Sequence, residues 1–519
     1  MIAAGSLSGT PAPAAMVPSG RPLVGILAVL LGALISTLYG RITSFGLADL
    51  RGAVGAGFDE GAWIPTAATV AQMFIGPPAT WLGAVYGPRR VLLASVSVFG
   101  LASVLIPFSP DLPALLLGQV VAGLVSGTFI PLTIGFVLQN LRPSWWPYGI
   151  AAFGLNLELS LNIPASLEGF YLDHLGWPWI FWQGAVLAVP MAACVLLGMP
   201  RQPVNRALRD RADGWGMLHA GAAFSLIYAA LEQGNRLDWL HSGLICALLL
   251  GGALLLVAFV ARELGTAEPW VNLSFLLRRN ILPLLAILVL YRFVLLATAY
   301  LIPQYLTTVQ NFRSLEVGSV LIWIAAPQFV LAPLVALVLT RVEPRIVLAM
   351  GAATMGVACI MAMRITPEWQ TGEFLPSQIF QAVGQTSTLV AMILFFVRHL
   401  RPADALTFGA VLQTARLLGG ELGSATMQTY LRLSEQVDSY LLGLHLQSGA
   451  ADIAERLTRI AALAGSPASG EGDASGRALS ILAGAVQAQA NVLSVIDGFG
   501  AALIAVVAML GLIALLREP

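Results

Sequence analysis

Residues 23–45 read LVGILAVLLGALISTLYGRITSF. No charged side chain occurs from Leu23 to Gly40, and Arg41 is the first. A helix needs about 20 apolar residues to cross the hydrocarbon core of a bilayer. Backbone groups cannot go unpaired there, so a run of this length must be helical. No basic cluster precedes the run and no small-residue cleavage site follows it. It is therefore read as a first membrane span rather than a cleaved leader.

The same pattern recurs along the chain. Candidate spans are 23–45, 61–84, 91–108, 113–138, 148–171 and 178–199, then 215–233 and 242–261. The series continues with 281–307, 316–340, 345–363, 376–397, 406–430 and 498–516, which makes fourteen. Short turns rich in Arg, Pro and Gly separate them, such as Gly87-Pro88-Arg89-Arg90. Composition agrees. Of 519 residues 57% are hydrophobic and only 10% charged, against about a quarter charged in soluble proteins. The mean hydropathy is +0.81. Most of the surface must face lipid, so the fold class is an all-α membrane protein.

Charge placement gives orientation. Of the 27 basic residues, sixteen fall in loops on the side that carries both termini and eight on the other side. The excess predicts cytoplasmic termini. The remaining three, Arg41, Arg292 and Arg416, lie inside or at the edges of spans. The formal net charge is zero, so no field favours a nucleic-acid partner. Cys194, Cys246 and Cys359 sit in three separate apolar segments, which argues against a disulfide or metal role. His174, His219, His241, His399 and His445 are scattered without metal-ligand spacing. No metal and no catalytic residue are expected, and the chain is not read as an enzyme.

Four units are expected. Residues 1–22, rich in Ala, Pro, Ser and Gly, form a disordered cytoplasmic tail. Residues 23–200 form an N-terminal six-helix half, and 201–277 hold two extra spans. Residues 278–519 form a C-terminal half with a long loop, 431–497, on the far side of the membrane. That loop contains a Gly/Ser/Ala-rich stretch from Gly465 to Gly476 flanked by helical pieces. It is either a contact for another protein or an unconstrained excursion.

Several strings carry a resemblance. Asp173-His174-Leu175-Gly176-Trp177-Pro178-Trp179-Ile180-Phe181-Trp182 opens the sixth span, and Ile302-Pro303-Gln304-Tyr305-Leu306 is followed by Val317-Gly318. Ala415-Arg416-Leu417-Leu418-Gly419-Gly420 precedes Gly423, and Gln489-Ala490 leads to Asp497 and Phe499. Taken in order, these resemble the fourteen-span drug:proton antiporter family of the major facilitator superfamily, and most of all the Emr-type inner-membrane subunits of tripartite pumps. The resemblance implies a major facilitator fold of two six-helix halves with two linker helices, 215–261, between them. Each half would be an inverted repeat, with cargo bound near the midplane. It further implies multidrug efflux from a bacterial inner membrane, driven by the proton gradient without a cofactor. A periplasmic adaptor protein and an outer-membrane channel would be the partners. The linker helices are expected to hold few site residues.

The chain departs from that family at its coupling positions. Leu38-Tyr39-Gly40-Arg41 stands where the family has a first-span Asp. Gln119 stands where it has a fourth-span Arg, and the turn at Arg89 and Arg90 lacks its Asp. Ile163-Pro164-Ala165-Ser166-Leu167-Glu168-Gly169 keeps the antiporter Pro and last Gly but gains a Glu. Proton coupling by the usual route is thereby put in question, and a proton-independent facilitator or importer of a polar or anionic metabolite is the alternative. A non-transporting sensor on the same fold is a further one.

Ionisable groups in hydrocarbon are costly, which makes them site candidates by default. Glu158, Glu168 and Glu421 are candidate proton carriers. Glu158 would either face the cavity or pair with Arg41. Tyr39, Arg41, Gln119, Asn162, Arg292 and Gln304 are candidate cavity residues; Asn162 lies one helical turn from Glu158. Pro164, Gly169, Arg89, Arg90 and Arg416 are assigned structural or gating roles. Tyr39, Trp81, Phe129, Tyr300, Tyr305, Trp323 and Phe329 are candidate stacking partners for an aromatic, weakly acidic or zwitterionic cargo.

Overall fold

The computed structural model describes residues 21–266, 269–401, 404–444, 451–464 and 471–517. The expected tail lies almost wholly outside them, as do His445 and residues 465–470 of the Gly465–Gly476 stretch.

The described chain is helical, with no strand. The long helices are α1 Pro22–Phe45, α2 Trp63–Tyr86, α3 Pro88–Leu105, α4 Leu112–Ser126, α5 Phe129–Asn140, α6 Trp146–Asn162, α7 Pro164–His174 and α8 Trp179–Gly198. Then come α9 Gly214–Gly234 and α10 Gly243–Gly265, the expected linker pair. They are followed by α11 Ile281–Val294, α12 Ile302–Thr308, α13 Ser314–Ala325, α14 Gln328–Leu339, α15 Pro344–Ala362 and α16 Leu375–Arg398. The series ends with α17 Ala405–Leu444, α18 Ala451–Ala464 and α19 Glu471–Leu515.

Eleven described helices are long and apolar enough to cross a membrane, or twelve if the bent pair 143–174 counts as one. Two of the fourteen expected spans fall short on hydropathy, 61–84 and 406–430, yet both are helical, as α2 and α17. The shortfall has a cause. α2 carries Thr69, Gln72 and Thr80, and α17 carries Gln413, Arg416, Glu421, Ser424 and Gln428, all turned into a central cavity. Polar groups hidden from lipid lower a helix's hydropathy without exposing it to hydrocarbon.

Two breaks in the spans stand at prolines. Pro164 has no amide hydrogen to continue the ladder, and α6 and α7 meet there at 47°. Pro303 stands just after a π-helical turn, Ala297–Leu301, that joins α11 to α12. The expected 431–497 loop is largely helix: α17 and α19 continue past the bilayer-spanning lengths, and Ser434 Oγ donates to Asp497 Oδ2 at 2.5 Å between them.

One apolar cluster joins Ile26 through Met199, and another joins Ala297 through Ala502 with Ala165. A third, containing Ile150, Phe153 and Leu157 with Tyr291, Ala332 and Leu389, ties α6 to the later helices. α7 approaches α13 so closely that a Cβ on Gly169 would lie 2.8 Å from the Leu315 nitrogen. α6 packs on α14 and α16, and α2 on α17. These contacts leave a large space unfilled between the helices.

Candidate functional site

That space is a cavity of about 1910 Å³. It opens beside the 199–213 segment, reaching Gln202, Asn205 and Arg211, and extends as deep as Ser44 on α1 and Gln428 on α17. The α7–α13 contact closes the structure at the far end. α1, α2, α6, α9, α11 and α17 supply its polar wall.

Three arginines from within the spans line it, Arg41, Arg292 and Arg416, and Arg211 and Arg401 from connecting segments line it too. Arg41 Nη2 donates to the Ala299 carbonyl at 3.0 Å. Arg416 Nε donates to Gln413 Oε1 at 3.2 Å. Arg292 lies over the bare backbone of Gly420, where a Cβ would sit 2.8 Å from its Nη2. Gly419 and Gly423 face Val289 and Phe293 in the same way. The small-residue face of α17 thus lets α11 approach and brings Arg292 into the cavity. Nε of Arg41 and of Arg292 is buried without a partner.

Three carboxylates line the same space: Glu158, Glu232 and Glu421. Glu158 is 1% exposed and accepts a hydrogen bond from Tyr291 Oη at 3.0 Å, while its Oε2 has no partner. Glu421 accepts from Tyr228 Oη at 3.0 Å. Glu158, Glu421 and Tyr228 are within electrostatic reach of Arg292. Among the described residues none of the three arginines comes within 4 Å of a carboxylate oxygen. The Glu158–Arg41 pair weighed as an alternative is not formed.

Other expected cavity residues are placed elsewhere. Tyr39 donates to Gln119 Oε1 at 2.5 Å, and both are buried among the first helices, away from the cavity. The two neutral side chains thus bond each other there. Asn162 Nδ2 turns back to the Glu158 carbonyl at 2.9 Å. It shares the face of Glu158 without entering the cavity. Gln304 is outside the lining, and Glu168 is buried where α7 faces Gly46, within hydrogen-bond reach of Ser314. Tyr300 lines the cavity. Tyr305 instead donates to the Thr366 carbonyl at 2.7 Å, and Trp323 and Phe329 are exposed on the outer surface. Pro164 marks the α6–α7 bend and Gly169 the α7–α13 approach. Arg89 donates to the Met199 carbonyl at 2.7 Å, and Arg90 is exposed.

The linker pair was read as poor in site residues, yet α9 brings Tyr228 and Glu232 to the cavity. α9 lies against α2, where Ser225 Oγ donates to the Val70 carbonyl at 3.0 Å and Gln233 Nε2 to Thr66 Oγ1 at 2.6 Å. Tyr228 and Glu232 are four apart, on one helical face. A carboxylate inside an apolar run was the signal in the sequence.

The chain's relatives are consistent with a membrane carrier. The sequence model of the Major Facilitator Superfamily matches residues 29–424. The chain is 25% identical over 380 residues to the probable multidrug resistance protein EmrY of Escherichia coli (strain K12), covering 72% of this chain and 71% of that one. It is 24% identical over 370 residues to the multidrug export protein EmrB of Haemophilus influenzae, covering 71% and 70%. It is 21% identical over 424 residues to the fatty acid resistance protein FarB of Neisseria gonorrhoeae, covering 80% and 83%. Among solved structures, the proton:xylose symporter XylE superposes with a TM-score of 0.56 at 10% identity, over 80% of this chain and 90% of that one. The human organic anion transporter MFSD10 superposes with a TM-score of 0.55 at 15% identity, over 93% and 98%.

Proposed function

This chain belongs to the Major Facilitator Superfamily, and we propose that it is an Emr-type efflux transporter for small amphipathic compounds, exchanging cargo for protons by alternating access. The observation that carries the reading is one cavity, closed at one end, in which Arg41, Arg292 and Arg416 and the carboxylates Glu158, Glu232 and Glu421 stand without pairing. Charges kept unpaired in a space shielded from lipid are expensive unless a ligand or a proton uses them. The names of the relatives, two of them multidrug proteins and one a fatty acid resistance protein, support export of amphipathic molecules.

In this mechanism the cavity faces the cytoplasm and takes cargo there. The arginines receive an acidic group and Tyr300 offers a ring face at the deep end. Glu158 and Glu421 exchange protons with the opposite side once the α7–α13 contact opens and the entrance closes. Two six-helix halves, 23–200 and 278–519, rock about the site. Both termini are cytoplasmic, the membrane is the bacterial inner membrane, and the 431–497 projection meets a periplasmic adaptor that leads to an outer-membrane channel. No cofactor is required, because the proton gradient supplies the energy.

The arginines also favour a second reading. A monoanion leaving a cell negative inside gains about 2.3 kcal/mol per 100 mV, so a facilitator of anions would need no proton. Vesicles holding a pH-sensitive dye separate the two. Proton movement driven by an aromatic acid, and lost in Glu158→Gln, supports exchange at α6. Cargo flux without proton movement leaves the facilitator.

A further inference from the structure

Resting on the transporter reading above, we propose that the inserted helix α9 gives the cavity a cation subsite, so that the preferred cargo carries a protonated amine as well as an acid group. The cavity has two charged regions. Arg292 lies over Gly420 in one. The other lies deeper, where Glu232 of α9 is within hydrogen-bond reach of Thr66 and Tyr228 of α9 holds Glu421 of α17 at 3.0 Å. Each region retains unsatisfied groups. Glu232 Oε2 and Arg292 Nε are buried without partners, and so is Oε2 of Glu158, a side chain 1% exposed on the cavity wall.

Opposite charges on flexible side chains in a low-dielectric space attract strongly. Here they are held apart. Tyr291 engages Glu158, Tyr228 engages Glu421, and Arg41 is engaged by a backbone carbonyl. A purely anionic cargo would leave Glu232 and Glu421 without a counter-charge, and a purely cationic one would leave the arginines so. A zwitterion satisfies both regions at once. Tyr228 is a positioning residue, since it acts by orienting Glu421. Glu232 is the specificity residue, since its carboxylate faces the cargo. α9 can supply both because it packs on α2 through Ser225 and Gln233 and reaches α17 through Tyr228.

The test uses three fluorescent probes with one ring system, bound to the full-length protein in lipid nanodiscs. Dansylglycine is an acid, dansylcadaverine an amine, and Nε-dansyl-lysine a zwitterion. The zwitterion should bind the wild type most tightly. Glu232→Gln should weaken the zwitterion and the amine about tenfold, equal to about 1.4 kcal/mol, and leave dansylglycine unchanged. Glu232→Asp should restore most of that loss, and Arg292→Gln should weaken dansylglycine and the zwitterion but not the amine. Retained dansylglycine binding by Glu232→Gln shows that the variant is folded. Equal weakening of all three probes by Glu232→Gln, or no change in any, overturns the subsite. Equilibrium binding does not depend on flux, so failure of the export reading in vesicles is a separate outcome.

Discussion

Arg41 donates to the carbonyl of Ala299, 258 residues away, and that carbonyl is the one whose helical partner would be the nitrogen of Pro303. Proline has no hydrogen to give. A guanidinium from α1 therefore occupies an acceptor at the π-helical turn between α11 and α12. Arg41→Met should lower the thermal stability of the purified protein by about 1.5–3 kcal/mol, the usual worth of a hydrogen bond to a charged group. In a Pro303→Ala background, which restores the amide, the same substitution should cost clearly less. Equal losses in both backgrounds would show the two residues uncoupled.

The far end of the cavity depends on the absence of side chains at Gly169 and Gly318. A Cβ at Gly169 would press on the Leu315 backbone, and one at Gly318 on Ser166. Gly318→Val should overpack this contact by about 1–3 kcal/mol and part α7 from α13. A cysteine introduced at Ser44, deep in the cavity, should then react faster with an impermeant maleimide added on that side. Unchanged labelling would mean that another contact makes the seal.

Arg278 grips Asp404 with two hydrogen bonds, at 2.6 and 3.1 Å, tying the segment before α11 to the start of α17. Asp404 is 5% exposed, and the Arg278 side chain is about a third exposed. Solvent screens the pair in part, so Asp404→Asn should cost about 1–2 kcal/mol rather than the full value of a buried pair. Thermal unfolding read by tryptophan fluorescence checks this. No shift in midpoint would refute the structural role.

Asp438, on the part of α17 beyond the bilayer-spanning length, has its carboxyl raised above the usual range. Partial burial is the main cause, and Asp497 and Glu435 add repulsion. A carboxyl raised in the folded state contributes stability that is full at low pH and fades as pH rises through its folded value. The protease resistance of the α17–α19 projection should therefore fall as pH rises through the raised folded-state value of Asp438. Asp438→Asn should flatten the dependence. A projection that loosens instead on acidification would contradict the sign.

Much of the fold was legible because the bilayer imposes a simple length rule. Runs such as 23–45 and 242–261 could be only spans. The spans 61–84 and 406–430 were read correctly as helices although their polar residues depress the hydropathy. Arg41, Arg292, Glu158 and Glu421 were legible as cavity residues because charge in hydrocarbon needs a reason. Tyr39, Gln119 and Gln304 were not separable from them. Matching a position in a related pattern does not say whether a side chain points into a cavity or towards a neighbouring helix.

The amino-acid sequence by itself determined that the chain crosses a membrane many times, that Pro164 stands within a span, and which charges lie within the spans. These are local consequences of hydration cost and of the missing amide of proline. Only the tertiary structure decided that α9 is a cavity wall, that Arg292 rests on Gly420 while Arg41 caps Ala299, and that Arg41, Arg292 and Arg416 share one space with Glu158, Glu232 and Glu421 without an ion pair among them. Those relations depend on how helices hundreds of residues apart rotate about their axes when packed. Rotation is set by side-chain complementarity between helices, which no window of the sequence contains.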